Sequence, residues 1–471
     1  MTQRSLALSI ERAQALDHGL DLLREAWSGF DQARPMQPAV SRTDLRLDDD
    51  LPEGGEGVVA ALDAASVVLD QSLAQSRPRF FAYVGSSGLE SAVLADALAH
   101  SYDVNLAGES GAAREIELQT LRWVGQLIGY PSDGGAFTSG GMVSNLTALM
   151  VARTRALPGS REDGFAGRTG AVYASAEAHS SIERAVEVLG IGRRHLRSVP
   201  IDAHRRMLPD ALRDAIVADV AAGITPIAVV ATGGTTLTGA VDPLDAVAEV
   251  CAEFGVWMHV DGAYGLAAAA TELARPLFAG LDRADSVSID AHKWLFVPKA
   301  CGVLLIRDDT GLVDAFRHDA SYLVQDDDAP MHPVETTLEY SRPFRPLKLW
   351  TALRAHGAQA FREAITGDLL LARELEELVR QVPTMELLHP ASPLSVVAFR
   401  RIPSTGDADR HNVRLASAMQ ADGRTFIASA CIDGRMWLRA CLVNFRTTSD
   451  DVRALVQVAE ELGQVLESES A

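Results

Sequence analysis

Two charged side chains at the ends of apolar runs are the residues of this sequence with the clearest capacity for chemistry. Lys293 follows His292 just beyond the run 286–289, and Asp261 directly follows the run 256–260. A lysine amine can form a Schiff base with an aldehyde, and a carboxylate can keep a pyridine nitrogen protonated so that the ring accepts electrons. A lysine and an aspartate at the ends of two neighbouring strands are what pyridoxal 5'-phosphate (PLP) requires.

The residues around Lys293 favour this interpretation over that of a surface lysine. Trp294, Leu295 and Phe296 follow it, and all three are large and apolar. Burial disfavours the charged form of an amine, so a desolvated lysine has a lowered pKa and is a better nucleophile. The sequence predicts such an environment for Lys293.

Three other segments have a structural as well as a chemical interpretation. The run 138–145, Thr-Ser-Gly-Gly-Met-Val-Ser-Asn, precedes a predicted helix whose first N–H groups suit a phosphate, although glycine-rich helix starts are often only structural. His179 lies between a strand and a helix, where it could stack on a cofactor ring or simply belong to a helix cap. Asp242 precedes Pro243, and we expect it to cap the following helix.

The elements that must position these residues alternate between strands and helices. Strands are predicted at 171–174, 198–201, 227–232, 256–261, 286–290 and 302–306, and helices between them at 209–222 and 243–254. This alternation predicts the α/β class, with a mostly parallel central sheet and helices on both faces. Ligands of such sheets bind at the carboxyl ends of the strands, where Thr232, Asp261 and Lys293 fall.

Changes of pattern along the chain predict three units. Residues 1–75 form a helical N-terminal segment with a polar interruption near 34–52, and residues 76–355 form a large PLP-binding domain. Residues 356–471 form a small C-terminal α+β domain, with a helix at 359–381, strands at 395–400 and 435–442, and a closing helix from Ser449. The combination of Lys293, Asp261, His179 and the glycine loop in this order is far more specific than any one of them.

The composition argues against several classes of function. Of the 471 residues 47% are hydrophobic, and the formal net charge of −20 would repel nucleic acid and anionic membranes. No apolar run approaches the roughly 20 residues that span a bilayer, and the N-terminus lacks the apolar core of a signal peptide. The four cysteines have no Cys-x-x-Cys spacing, so we expect neither disulfides nor a metal site, and we expect a cytoplasmic location.

The motifs together resemble the group II PLP-dependent amino acid decarboxylases of fold type I, which include the aromatic-L-amino-acid decarboxylases. The resemblance covers nearly the whole chain. It includes the segment Arg-Pro-Arg-Phe-Phe-Ala-Tyr at 77–83, the Ser-Gly-Gly loop, Ala-Thr-Gly-Gly-Thr-Thr at 231–236, His-Val-Asp at 259–261, His-Lys-Trp at 292–294 and Arg-Pro-Phe-Arg-Pro at 342–346. The motif set is specific for the family and less specific for the substrate.

The resemblance implies a role for each matching residue. Lys293 would form the Schiff base and Asp261 would pair with the pyridine nitrogen, while His179 stacks on the ring and His292 lies beside the reacting group. The other implied cofactor contacts are Thr232, Ala263, Gly141, Met142 and Asp290, and the implied substrate contacts are Phe80, Tyr83 and Ser341. The family also implies a homodimer with shared active sites, formed in part by the N-terminal segment and closed by a mobile loop.

Tyr322 falls where the family has its loop tyrosine, which is thought to protonate the quinonoid carbon after CO2 leaves. The expected reaction is therefore decarboxylation of an L-amino acid to the amine through an external aldimine and a quinonoid. Two alternatives keep the cofactor: oxidation by O2 to an aldehyde, which a tyrosine disfavours, and β-elimination from a cysteine conjugate. A PLP-free regulatory protein is a third, but it predicts loss of Lys293, Asp261 or His179, and all three are present.

The sequence also departs from the family near the predicted pocket. Met142 stands where a serine or threonine is usual, so a hydroxyl contact to the phosphate is lost. Gln75 lies near the place of a common tryptophan, the segment 105–112 lacks the expected aromatic residues, and Asp290 replaces the asparagine of animal aromatic decarboxylases. The loss of aromatic lining weakens any inference of a plain aromatic substrate and leaves room for another bulky or more polar side chain.

Overall fold

The structure is a computed structural model that describes residues 11–36, 40–108, 110–318 and 333–469. The helices within these ranges are α1 (Arg12–Asp31), α2 (Val58–Asp70), α3 (Glu90–Tyr102), α4 (Ala112–Ile128), α5 (Gly141–Ala156), α6 (Ser180–Val188), α7 (Pro209–Ala221), α8 (Leu244–Phe254), α9 (Ala291–Trp294), α10 (Thr310–Phe316), α11 (Pro346–Gln381), α12 (Ala408–Asp422) and α13 (Ser449–Ser468). The strands are β1 (Gly134–Thr138), β2 (Gly170–Ser175), β3 (Leu196–Val199), β4 (Thr225–Thr232), β5 (Trp257–Asp261), β6 (Ser286–Asp290), β7 (Gly302–Ile306), β8 (Met385–Leu387), β9 (Val396–Arg401), β10 (Ala428–Ile432) and β11 (Arg435–Cys441).

Seven strands form the central sheet, in the order β1-β7-β6-β5-β4-β2-β3. The neighbours β3, β2, β4, β5 and β6 run parallel, whereas β7 runs antiparallel to both β6 and β1. Thr232 at the end of β4 pairs with Asp261 at the end of β5, and Asp261 pairs with Ser288 of β6. The predicted mostly parallel α/β sheet is confirmed, and it brings three strand ends to one edge.

Both faces of this sheet are covered, which explains the nearly continuous apolar runs of its strands. Alternate residues pack on opposite sides: Tyr173 and Val229 join one core cluster, and Val172 and Val230 join the other. Because a strand side chain points to the opposite face from its neighbour, a strand with two covered faces needs apolar residues at every position. The same rigid sheet then fixes the positions of the polar residues at its end.

A second, four-stranded antiparallel sheet, β10-β11-β9-β8, lies in the C-terminal part of the chain. Helices α11, α12 and α13 contribute to its core together with Phe81. The segment at 79–81 exchanges backbone hydrogen bonds with this part, since the N–H of Phe81 donates to Phe426 O and the N–H of Cys441 donates to Phe81 O. The motif at 77–83 is therefore attached to the smaller sheet.

Three of the differences between the predicted and the observed elements have a clear physical reason. Strand β1 was not predicted, because its sequence Gly-Gly-Ala-Phe-Thr begins with two glycines and has a single β-branched residue, Thr138. A Cβ at Gly135 would collide with the backbone of β7. Strand β3 lies two residues earlier than predicted, at the sheet edge, where one face is partly exposed and the apolar pattern is weak. The helix predicted at 359–381 is part of α11, which begins at Pro346, and Gly357, with φ of +74°, breaks α11 just before the predicted start.

The expectation that Asp242 caps a helix is wrong. Helix α8 begins after Pro243 without a side-chain cap, and the Asp242 carboxylate instead accepts hydrogen bonds from the backbone N–H groups of Met207 (2.6 Å) and Thr232 (2.7 Å). Burial raises the pKa of Asp242 to about 6. The residue is structural, as expected, but it joins the end of β4 to the loop after β3.

No helix in the described ranges is both long and apolar enough to cross a bilayer.

Candidate active site

Lys293 lies on the short helix α9, which begins directly after the buried strand β6. Its Nζ is 2.9 Å from Oδ2 of Asp290, and its side chain is 25% exposed. The amine is therefore ion-paired at the wall of a cavity. Its environment is more polar than the sequence predicted.

The next residue, Trp294, anchors this helix in the core. Its indole is fully buried, stacks on Tyr264 at 5.3 Å between ring centroids, and donates from Nε1 to Asp368 (2.8 Å). The Asp368 carboxyl is held on α11, and burial raises its pKa to about 7. A buried indole with a satisfied N–H has little freedom to move, so the backbone that carries Lys293 is held in place.

Asp261 ends strand β5 with its carboxylate surrounded by hydrogen-bond donors. Oδ2 accepts from the side-chain amide of Asn145 (2.9 Å), and Oδ1 accepts from the Ser288 hydroxyl (3.2 Å) and the N–H of Ala263 (3.2 Å). The side chain is nearly buried but lines the cavity. A carboxylate that receives only donors is suited to hold a cationic ring nitrogen.

His179 is the N-cap residue of α6, and its ring also lines the cavity. The Nδ1 atom accepts a hydrogen bond from the N–H of Ser181 (3.1 Å), so the capping interpretation is correct. The cap uses only one ring nitrogen and one edge of the ring. Capping and contact with a cofactor are therefore compatible roles for this residue, and the cap fixes which nitrogen is the acceptor.

The glycine loop brings backbone very close to the strand ends. A Cβ on Gly141 would lie 2.8 Å from the Cβ of Ala263 and 3.1 Å from Oδ2 of Asp290, so only glycine fits. The N–H groups of Val143 and Ser144 already donate to Gly140 O, which leaves the amides of Gly141 and Met142 at the helix start for a ligand. The Met142 side chain is 38% exposed and offers no hydroxyl to a phosphate.

These residues surround one cavity of about 240 Å³. Nine of the residues that the sequence singled out line it: Tyr83, Gly141, Met142, His179, Thr232, Asp261, Ala263, Asp290 and Lys293. Two buried polar atoms at its wall, Thr232 Oγ1 and Asp290 Oδ1, have no hydrogen-bond partner among the described residues. Unsatisfied buried polar atoms are costly, so their presence fits a site that a polar group such as PLP completes.

The remaining predicted residues lie elsewhere. His292 is mostly buried behind the glycine loop, where its Nδ1 accepts from the N–H of Cys301 (3.1 Å), and burial lowers its pKa. Phe80 stacks on Phe426 at 5.2 Å, and Ser341 is exposed beside Asn105; neither lines the cavity formed by the described chain. Tyr322 lies outside the described residues.

Several lining residues were missed by the sequence reasoning. Asn145 is four positions after Gly141 on α5, so helical spacing alone could have placed it at the cavity. Arg439 comes from strand β11 of the small sheet, and no local spacing connects it to the other residues. Its guanidinium donates to the backbone oxygens of Thr236 and Ala82, and it has no carboxylate partner in the described chain.

Comparison with known proteins identifies the family. The model of the pyridoxal-dependent decarboxylase conserved domain matches residues 41–402. An aromatic-L-amino-acid decarboxylase of Bacillus atrophaeus is 32% identical over 474 residues, covering 98% of this chain and 97% of that protein. An L-2,4-diaminobutyrate decarboxylase of Rhizobium meliloti is 34% identical over 433 residues, covering 90% and 86%.

A solved structure gives the same result for the fold. The Oryza sativa protein TDC, crystallised with PLP and tryptamine, superposes with a TM-score of 0.92 at 28% identity, covering 99% of this chain and all of that one. The predicted fold type I architecture and the predicted cofactor are confirmed. The chain therefore belongs to the family of pyridoxal-dependent decarboxylases, enzymes that use PLP.

Proposed function

We propose that this enzyme decarboxylates an L-amino acid with an aromatic or other bulky side chain and releases the amine and CO2. The single observation that carries the proposal is the convergence of Lys293, Asp261 and His179 on one cavity at the strand ends. When bound, PLP supplies an electron-accepting ring that stabilises the negative charge left on Cα as CO2 departs.

Each of the cavity residues has a task in this proposal. Lys293 would hold the cofactor through its amine, and the ion pair of the free amine with Asp290 keeps Nζ at the strand ends. Asp261 holds the proton of the pyridine nitrogen. His179 covers one face of the ring, and the amides of Gly141 and Met142 bind the phosphate.

The substrate is proposed to enter past Tyr83 and to direct its carboxylate towards Arg439. An arginine whose hydrogen bonds go only to backbone oxygens retains its charge for a ligand, and a guanidinium suits a carboxylate. Relatives named for aromatic amino acids and for diaminobutyrate both match nearly the whole chain. The substrate is therefore proposed as a class. Phe80 and Ser341 stay predicted substrate contacts that the cavity of the described residues does not include.

Proton delivery decides between decarboxylation and its alternatives. We propose that Tyr322 returns a proton to Cα after the Cα–carboxylate bond breaks, so that the amine carries one new C–H bond. His292 lies behind the glycine loop and would act on this step only through Asp290, whose Oδ2 is 3.8 Å from its Nε2. Without this proton, reaction with O2 would yield an aldehyde. β-Elimination would need loss of the Cα proton instead of CO2.

A homodimer is part of the proposal. Helix α2 is apolar along most of its length, yet none of its side chains is buried against the described chain, and Val67, Val68 and Leu69 are exposed. Leu94, Leu98 and Tyr102 on α3 are exposed as well. Exposed apolar faces of this size mark interfaces, which supports a dimer formed through the segment 1–75.

The division into 76–355 and 356–471 and the cytoplasmic location belong to the same proposal. The second sheet lies entirely within the latter range and supports the division. Four free cysteines, of which Cys251, Cys301 and Cys441 are buried, suit a reducing compartment.

Product analysis tests the function directly. The purified holoenzyme is incubated with a panel of L-amino acids, and CO2, amine, peroxide, aldehyde and pyruvate are measured together. We expect equal amounts of CO2 and amine from at least one bulky amino acid. Peroxide with aldehyde, or pyruvate without CO2, would show one of the two alternative reactions and overturn the proposal.

A further inference from the structure

A continuous chain of hydrogen bonds runs through the protein interior and ends on Asp261. The indole Nε1 of Trp257 donates to Ser286 Oγ (2.9 Å), and Ser286 Oγ lies 2.9 Å from Nδ1 of His259. Nε2 of His259 lies 3.0 Å from Oδ1 of Asn145, whose Nδ2 donates to Oδ2 of Asp261 (2.9 Å). The chain therefore crosses from the start of β5 through β6 and α5 to the end of β5.

The two ends of this chain fix the direction of all but one of its bonds. A carboxylate only accepts and an indole N–H only donates. Asn145 must therefore turn its NH2 group to Asp261 and its oxygen to His259, so Nε2 of His259 carries a proton. Ser286 Oγ accepts from the indole of Trp257. Because burial disfavours a second proton on the ring, Nδ1 of His259 accepts from the same hydroxyl, and the imidazole is neutral with one defined tautomer.

Burial supports this assignment. The side chains of Asn145, Ser286 and His259 are at most 1% exposed. Burial lowers the pKa of His259 to about 4, so the ring is neutral near pH 7. A buried donor that loses its partner incurs most of its desolvation cost, so each link of such a network holds the next one in place.

The same Asn145 amide reaches the other cofactor residue. Its Nδ2 also donates to Ser181 Oγ (3.0 Å), and the N–H of Ser181 donates to Nδ1 of His179 (3.1 Å). One side chain on α5 therefore connects the group that would hold the ring nitrogen with the group that would cover the ring. Ser181 and His259 are linked to Asp261 in this network only through the Asn145 side chain.

We propose that Asn145 is the positioning residue of the cofactor site. Its side chain is hydrogen-bonded to a neutral His259, and it holds the Asp261 carboxylate and the helix cap at His179 in fixed positions relative to each other. This inference rests on the proposed roles of Asp261 and His179. Ser288 and Ala263 still hold Oδ1 of Asp261 when Asn145 is replaced, so the carboxylate loses its orientation while its other hydrogen bonds remain.

The affinity of the apoenzyme for PLP measures this role. We expect Asn145→Ala to weaken PLP binding about ten- to a hundredfold, the effect of losing a hydrogen bond to a charged group. Ser286→Ala, at the distant end of the chain, should weaken it by a few-fold. Asn412→Ala is the matched control, because Asn412 is equally buried and bonds to the backbone of Arg401 far from the cavity; it should leave PLP affinity unchanged.

A second readout does not depend on any variant folding. Nitrogen-15 spectra of the histidine-labelled apoenzyme should show His259 as a neutral ring with the proton on Nε2 at pH 6. A charged ring, or a proton on Nδ1, would overturn the proposal, as would PLP affinity of Asn145→Ala within twofold of the wild type. Both readouts concern the cofactor site alone, so a wild-type enzyme that binds PLP without releasing CO2 would contradict the proposed function and not this inference.

Discussion

The cofactor end and the substrate end of the cavity are built from different kinds of structure. At the cofactor end, Thr232, Asp261 and Asp290 close three adjacent strands and are at most 6% exposed. At the substrate end, Tyr83 is 46% exposed and Arg439 arrives from a different sheet. Strand ends in a buried sheet are fixed by the whole core, whereas loop residues are fixed by few contacts. The cofactor chemistry is therefore set by the fold, and the substrate is set by parts that can vary.

The largest expected effect comes from the cofactor end. Asp261→Asn keeps the size of the side chain but removes the charge that would hold the pyridinium proton. We expect kcat to fall roughly 10²–10³-fold, the scale of losing one aligned electrostatic contact to the reacting system. Steady-state kinetics and the visible spectrum measure it, and activity within tenfold of the wild type would contradict the role of Asp261.

Asp368, which accepts the hydrogen bond of Trp294 behind Lys293, should make the stability of the protein depend on pH. Burial raises the pKa of Asp368 to about 7, so the folded protein keeps a proton that the unfolded chain releases near pH 4. Asp368 makes its full contribution to the free energy of unfolding below about pH 4. As the pH rises to about 7, this contribution is lost and the free energy of unfolding falls by roughly 2–4 kcal/mol. Urea unfolding from pH 4.5 to 7.5 should show this decline for the wild type and a smaller one for Asp368→Asn. Parallel profiles would mean that Asp368 does not titrate in this range.

Gly141 tests the close approach at the glycine loop. In Gly141→Ala the new methyl group meets Ala263 and Asp290, and the overpacking should cost about 1–3 kcal/mol, seen as roughly 5- to 100-fold weaker PLP binding. Gly367→Ala is the matched control, because Gly367 lies on a helix with open space around it and should tolerate the change. Equal PLP affinity of the two variants would contradict the proposal that the glycine loop binds the phosphate.

The smallest effect is expected at the substrate end. Tyr83→Phe removes a hydroxyl at the cavity mouth and retains the ring that packs near Phe80 at 5.7 Å. We expect KM to rise by up to about fivefold, since a partly exposed hydrogen bond that this hydroxyl would make to the substrate is removed, with PLP affinity unchanged. A drop in PLP affinity in this variant would show that the substrate end of the cavity also contributes to cofactor binding.

The same contrast explains how much the sequence could predict. Strands β6 and β7 were predicted with their observed bounds. Strand β7 contains a continuous apolar run, which is characteristic of strands buried on both faces, and β6 alternates serine with β-branched apolar residues. The positions of Asp261 at the end of β5 and of Lys293 just beyond the end of β6 followed from the parallel topology. Strand β1 escaped prediction, because glycine gives no strand signal and only the backbone of β7 explains why glycine is needed there.

The roles that depend on long-range contacts could not be predicted from spacing. Arg439 reaches the cavity only because the small sheet packs beside the large one, and the Asn145 amide acquires its role from His259, a residue on another element. Asp242 carries a short-range capping signal, yet two backbone amides from elsewhere in the fold bind it instead. Local sequence patterns predict elements well and predict partners across the fold poorly.

Trapping the cofactor on the protein tests the central claim most directly. The holoenzyme is reduced with borohydride, digested and mapped by mass spectrometry, with Lys293→Ala and Lys299→Ala treated in parallel. We predict a single phosphopyridoxyl group on the peptide that contains Lys293, retained in Lys299→Ala and absent from Lys293→Ala. Label on another lysine, or label that persists in Lys293→Ala, would contradict the assignment of this cavity as the PLP site.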